Sequence, residues 1–407
     1  MENLTVACIQ MRMTIPPTHE EFEAGARRFL RMAQAKAARL TIFPELTGVM
    51  LAPPLISGFK LGFIKRDDQG KQRGAGFLSR RLGRVAGSTA SALGGGFRGS
   101  LDRLLRKNGD ALRDAYLEMF GRLAREFGTA IVGGSLYVYD EETGTITNRA
   151  YVFDLDGEVL GYQDKLNLAP DEQALASPGM ALNVLHTRYG RLGLLLGRDA
   201  LYPELARLLA VQGADLLIGI GASPGAAQGK VVRSALALRA EENQVYCATS
   251  FAVGPNHLGK ESREDYYGQS ALMAPISMTA KGDGILTQVG TDHTEGVIAA
   301  DLEMGELHDL RQASRFRPRS QMHLGNAGPE LADFYLQGLT IEEVITRTVA
   351  PEIEPMPELE AYQPESWEAI PPDEPVLEDE EPAAEASYAP IPEALSLTSQ
   401  EEPEPEE

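Results

Sequence analysis

Cysteine is scarce in this chain: 407 residues hold two, Cys8 and Cys247. Two thiols cannot build the disulfide framework of a small secreted domain, so the fold must rest on an apolar core, and a reducing compartment is expected. Histidine is also sparse. The six (His19, His186, His257, His293, His308, His323) lie far apart with no metal-ligand spacing, so neither a metal site nor a cofactor is expected. No stretch reaches the roughly eighteen consecutive apolar residues that a membrane-spanning helix needs. The opening "MENLTVACIQM" lacks the basic start and long apolar run of a secretory signal, which predicts a cytoplasmic protein. Pieces such as "GGSLYVY" and "ALGGGFRG" are glycine-rich but lack the lysine and Ser/Thr pair of a phosphate loop.

What the chain has in excess is acid, unevenly placed. Its net charge is −21, yet residues 351–407 hold 19 Asp and Glu and no Lys or Arg, leaving about −2 for the body. A near-neutral body argues against a large phosphate-binding face, so no nucleic-acid partner is expected. The tail is dominated by Pro, Glu and Ala and has no apolar clusters, a composition that predicts disorder. Residues 51–110 are the opposite: 12 Lys and Arg against 4 Asp, a net of +8, rich in Gly. Phe77–Val85 and Leu101–Leu105 read there as short amphipathic pieces. The expected organisation is one domain over residues 1–350, carrying a basic insertion at about 51–110, then a disordered tail over 351–407. The insertion admits three readings: a helical lid or oligomer contact, an element for an anionic membrane surface, or a clamp for the acidic tail. The single tryptophan, Trp367, lies in that tail.

Between these segments strands and helices interleave. "LTVACIQM" reads as a buried strand, and His19 to Leu40 as a helix with Phe22, Ala26, Phe29, Met32, Ala33 and Ala37 on one side. "RLTIFPEL" follows as a strand stopped at Pro44. Ala115, Met119, Leu123 and Phe127 recur at spacing four in a further helix. "DLDGEV" marks a hairpin between two later strands. "GRLGLLLGRDALYPELARLLAVQGADLLIGIGASPG" reads as strand, tight turn, helix, strand. Helices with hairpins among the strands predict an α/β fold with mixed sheets.

Three stretches carry candidate chemistry. "TIFPELTG" puts Glu45 just past a strand end. "YQDKLNLAPDE" puts Lys165 past another, with Glu172 seven residues on. "LGLLLGRDALYPE" puts Gly197 at a strand-to-helix turn. With "RAEENQVY" and "GQSALMAP" further on, these stretches resemble, in order, the nitrilase or carbon–nitrogen hydrolase superfamily, from about Leu4 to Arg311 outside the basic insertion. The resemblance implies a four-layer α-β-β-α sandwich and helix-mediated pairing into a homodimer or larger homo-oligomer. It implies that Glu45 is a general base, Lys165 the stabiliser of a tetrahedral intermediate and Glu172 a supporting carboxylate. It also implies a nucleophilic cysteine at the position held by Gly197. Arg198 departs from the family pattern as well, whereas Asp199 and Pro203–Glu204 match it.

Glycine offers no nucleophile, and removing one from a working acyl-transfer site costs about a millionfold in a well-studied protease. Cys8 and Cys247 both fall mid-strand and are expected to be core thiols. Ser223, in "GASPG", follows the next strand and is a candidate to line the pocket. Three functional readings stay open. One is a hydrolase homologue that has lost turnover and acts by binding a polar small molecule or by assembly. The second is an active hydrolase of non-peptide C–N bonds, using a substitute nucleophile or an activated water with Glu45 and Lys165. The third is a membrane-surface scaffold using the insertion.

Overall fold

The structure is a computed structural model and describes residues 3–56, 96–258, 264–315, 325 and 327–338. The chain divides into two compact units, Met1–His323 and Leu324–Glu407. The first ends short of the boundary expected at residue 350. Of the second unit only one helix, Ala327–Gln337, is described. Most of the insertion, the tail and Trp367 lie outside the described residues.

Among the described residues, the first unit holds one continuous twelve-stranded sheet, folded into two layered sheets, and a separate two-stranded ribbon. In the first layered sheet, β1 (Leu4–Arg12) lies parallel to β2 (Leu40–Ile42), and β2 parallel to β3 (Ala130–Tyr139). An antiparallel meander continues through β4 (Ile146–Phe153) and β5 (Val159–Asp164). The predicted hairpin joins these two: Gly157, at φ +83°, allows the turn in which its N–H donates to Asp154 O at 2.8 Å. The second sheet opens with β6 (Val184–Thr187), antiparallel to β7 (Gly190–Leu196), and β7 runs parallel to β8 (Leu216–Gly221). The short β9 (Ser223–Pro224) leaves this sheet. Next come β10 (Tyr246–Val253), parallel to β8, and β11 (Tyr266–Tyr267), which pairs with β9. An edge of β12 (Ala271–Met273) and β13 (Ile285–Gln288) follows. Strand β14 (Gly296–Leu302) returns to the first sheet, antiparallel to β1. The sheets meet at one corner, where Met11 and Arg12 of β1 pair with Ala252 and Val253 of β10.

Side-chain alternation explains the layering, because successive strand residues face opposite sides. Val6 and Cys8 join Leu194, Leu196, Leu216 and Ile218 in a core between the two sheets. Their neighbours Ala7 and Ile9 face a second core under helices α1 (His19–Gln34) and α2 (Gly96–Phe127). Leu195, Leu217 and Cys247 face a third, under α3 (Pro203–Val211) and α4 (Ala226–Asn243). Helices, sheet, sheet, helices: the fold is the mixed α-β-β-α sandwich. One further helix, α5 (Met304–Ala313), follows β14.

Local chemistry sets the helix ends. Thr18 caps α1 by accepting the Glu21 N–H at 3.2 Å, with Glu20 and Glu21 in the positive first turn. The buried face of α1 is Phe22, Ala26, Phe29, Leu30 and Ala33; Met32 turns outward at 40% exposure. Helix α2 also departs from expectation. It is one element with a kink at Asn108 (φ −157°, ψ 47°) and takes in residues 96–110, which the charge pattern assigned to the insertion. Leu101 and Leu105 are fully buried and Leu104 nearly so. Those leucines serve the chain's own core. Beyond the kink the buried stripe is Leu112, Tyr116, Met119, Phe120, Leu123 and Ala124. Ala115 and Phe127 lie at its margin, because the face that meets β3 is rotated from the one that spacing four alone selects.

Candidate active site

Glu45 follows β2, Lys165 follows β5, Gly197 follows β7 and Ala222 follows β8. Loops after strand carboxyl ends are where open α/β sheets hold their ligands. Here they surround one cavity of about 290 Å³ lined by Glu45, Lys165, Glu172, Gly197, Arg198 and Ser223, among others. The sequence-predicted residues thus come together, apart from Asp199, which is buried beneath the turn.

One strained residue and one close backbone approach aim the first side chain. Leu46, directly after Glu45, adopts the left-handed conformation at φ +64°, and its N–H donates to Ser135 Oγ at 2.9 Å. Gly134 approaches so closely that a Cβ there would meet Pro44 O at 2.1 Å. Local strain of this kind persists only where the surroundings over-determine it. Glu45, 1% exposed, accepts at Oε1 from Lys165 Nζ (2.8 Å) and Asn148 Nδ2 (3.0 Å). At Oε2 it accepts the Ala222 N–H at 2.9 Å. Lys165 Nζ also donates to Glu172 Oε2 at 2.6 Å. Glu172 is held by the Ala169 N–H (2.8 Å) and by Asn148 Nδ2 (3.4 Å).

One ammonium therefore faces two carboxylates in a buried place. Burial pushes the Glu45 carboxyl up to about 6 against the pull of Lys165. Burial opposes the Lys165 charge too, yet Glu45 and then Glu172 hold it above the ordinary lysine range. A carboxylate poised near neutrality is suited to taking a proton.

Asp199 fastens the turn after β7. It accepts from the N–H groups of Leu166 (3.2 Å), Asn167 (2.7 Å) and Leu196 (3.3 Å) and from Asn167 Nδ2 (2.9 Å). Those bonds tie the Lys165 loop to the β7 turn, so one buried carboxylate fixes the distance between the two. Burial raises its proton affinity. Gly197 sits on this turn at φ +52°, where L side chains are strained. A Cβ at this position would lie 2.8 Å from Glu45 Oε2 and 3.1 Å from Lys165 Nζ. Both thiols are elsewhere. Cys8 and Cys247 are fully buried in the inter-sheet and outer cores, and burial pushes Cys8 up to about 12 and raises Cys247 as well. Ser223 reaches the cavity, but among the described residues no hydrogen bond joins its hydroxyl to Glu45 or Lys165.

Sequence reasoning missed Asn148 and Arg98. Asn148 is a fully buried amide inside the apolar strand "ITNRAYVF", and a lone polar residue there was its signal. Arg98 reaches the cavity from the start of α2, inside what read as an insertion. Among the described residues no group of three or more His, Cys, Asp and Glu side chains is placed to hold a metal, and no helix is long and apolar enough to cross a membrane.

The α-β-β-α sandwich is the fold of solved nitrilase-superfamily structures, and here it carries a Glu–Lys–Glu cluster beyond its strand ends. The chain belongs to the carbon–nitrogen hydrolase family, whose sequence model matches residues 5–312. It is 32% identical over 204 residues to "Probable hydrolase YhcX" of Bacillus subtilis, covering 50% of this chain and 39% of that protein. To the omega-amidase NIT2 of Xenopus tropicalis it is 28% identical over 220 residues, covering 51% of this chain and 72% of that one. Among solved structures it is similar to Nit3 of Saccharomyces cerevisiae (TM-score 0.55, 20% identity, 79% of this chain and 97% of that). A carbon–nitrogen hydrolase from Helicobacter pylori matches at TM-score 0.56 and 18% identity, over 83% of this chain and 98% of that. An amidase from Nesterenkonia sp. AN1, solved with acrylamide added at its active-site cysteine, matches at TM-score 0.50 and 22% identity, over 76% and 97%. At such identities these structures speak for the fold alone.

Proposed function

We propose that this chain is a carbon–nitrogen hydrolase homologue that has lost the covalent step, with Gly197 where the nucleophilic cysteine would stand. It acts by binding a polar small molecule in the Glu45–Lys165 cavity and by assembly. The observation that carries this reading is the place of Gly197. Its missing Cβ points between Glu45 Oε2 and Lys165 Nζ, where a thiol would be deprotonated and attack a carbonyl. A hydrogen atom there forms no acyl-enzyme, and the two thiols of the chain are buried away from the cavity. The surviving Glu45–Lys165–Glu172 cluster is compatible with a binding role, because removing any one charge would strand the others.

Assembly has its own support. Leu208 and Val211 on α3, and Val231 and Leu238 on α4, are 46%, 50%, 53% and 62% exposed, an apolar outer face suited to a second copy.

A second reading is a hydrolase that uses an activated water. The proton affinity of Glu45, near neutral pH, favours it, and glycine leaves room for the water. One assay separates the two. Wild type and Glu45→Gln are tested against a panel of amides, ureides and nitriles. The binding reading expects no turnover from either; turnover by wild type that vanishes in Glu45→Gln establishes the water mechanism instead.

A further inference from the structure

Arg198 is a charge in the cavity that forms no ion pair among the described residues. It lines the pocket and its Nε is buried without a hydrogen-bond partner among the described residues. The nearby carboxylates are already engaged. Asp199, its neighbour, accepts four hydrogen bonds from the turn it fastens. Glu45 and Glu172 are both bound to Lys165. Asp171, exposed at the cavity mouth, makes no ion pair with Arg198, while Arg98 donates to the Asp171 carbonyl. A buried N–H left unsatisfied forfeits the hydrogen bond it made to water, so the site gains when an acceptor arrives.

We propose that Arg198 anchors the carboxylate of a small monoanionic ligand. The cavity supports this class in three ways. A guanidinium matches a carboxylate in planar, paired hydrogen bonds. Leu46, Tyr137, Leu175, Val232, Leu258 and Tyr266 offer an apolar wall for a short hydrocarbon body. The lining also carries Glu45, Asp171 and Glu172, which repel a doubly charged phosphate more than a singly charged carboxylate. At about 290 Å³ the space takes a ligand of a few carbons rather than a nucleotide. The inference deepens the binding reading and rests on it: Arg198 selects the ligand and takes no part in bond cleavage.

The test is calorimetric titration of the full chain with butyrate and with its neutral counterpart butyramide. Wild type is expected to bind butyrate at least about tenfold more tightly than butyramide. Arg198→Gln is expected to weaken butyrate about 10- to 100-fold and to leave butyramide within about twofold. Arg198→Lys, which keeps the charge, retains part of the preference, and thermal melting of each variant checks the fold. Equal binding of the two probes by wild type, or butyrate binding indifferent to Arg198→Gln, overturns the proposal while leaving the binding reading intact. Absence of binding by both probes at millimolar concentration overturns it as well. The binding reading itself falls on a different measurement, turnover of the amide panel. If Arg198→Gln fails to fold, the wild-type butyrate-to-butyramide ratio and the Arg198→Lys variant still decide.

Discussion

Gly197 and Glu45 are 152 positions apart in the sequence, yet a β-carbon on Gly197 would lie 2.8 Å from the Glu45 carboxylate. Whatever stands at position 197 is thus in the base's reach. Gly197→Cys places a thiol there at a cost. The backbone is left-handed at φ +52°, which costs an L residue about 1–2 kcal/mol, and Glu45 must give way slightly. The expected result is a variant less stable by that amount in urea. Its new thiol should be alkylated by iodoacetamide in the native state, as intact-mass spectrometry would record.

The native thiols should behave in the opposite way. Cys8 and Cys247 are fully buried, and burial raises both above the ordinary thiol range. Neither should react with a chromogenic disulfide reagent until the chain is unfolded, so labelling should follow the unfolding curve.

Lys165 holds the buried Glu45 carboxylate at 2.8 Å and the partly buried Glu172 carboxylate at 2.6 Å. Lys165→Met leaves both without a counter-ion and should cost about 3–5 kcal/mol in denaturant unfolding. Adding Glu45→Gln to that variant should restore part of the loss, since one stranded charge is then gone. A double-mutant cycle measures the coupling.

The pH dependence has a definite sign. The Glu45 carboxyl in the folded protein is raised from 4.5 to about 6, so the folded state holds that proton more tightly than the unfolded one. The stabilisation from this site is complete below about pH 4.5 and is lost as pH rises through about 6, a change of about 2 kcal/mol. The difference in unfolding free energy between wild type and Glu45→Gln, measured in urea from pH 4 to 7, should carry that slope. Lys165, also raised, should hold its contribution below about pH 10.5 and lose it in stronger alkali.

The assembly proposal has a simple check. Val231 and Leu238 are seven residues apart on one face of α4 and largely exposed. Leu238→Asp should convert a dimer to monomer in light scattering without lowering the monomer's helical content.

The candidate site was largely legible because its chemistry is local. Glu45, Lys165 and Gly197 each follow a strand directly, Glu172 lies in the loop seven residues past Lys165, and the motifs around them carry the family resemblance. Asn148 was harder to find: its role lies in reaching two carboxylates from other segments, and nothing beside it in the chain records that. Residues 96–110 misled for a similar reason. Their charge suggested a surface element, but Leu101 and Leu105 are buried in the core beneath α1 and α2.

The sequence by itself determined the alternating strands, the mixed α/β class and the absence of a reactive atom at position 197, since these depend on residue type and periodicity along the chain. Only the tertiary structure decided which charges neutralise one another and which arginine is left over. Burial and ion pairing are set by segments that meet in space, and Lys165 finds its partners 120 and 7 residues away while Arg198 finds none among the described residues.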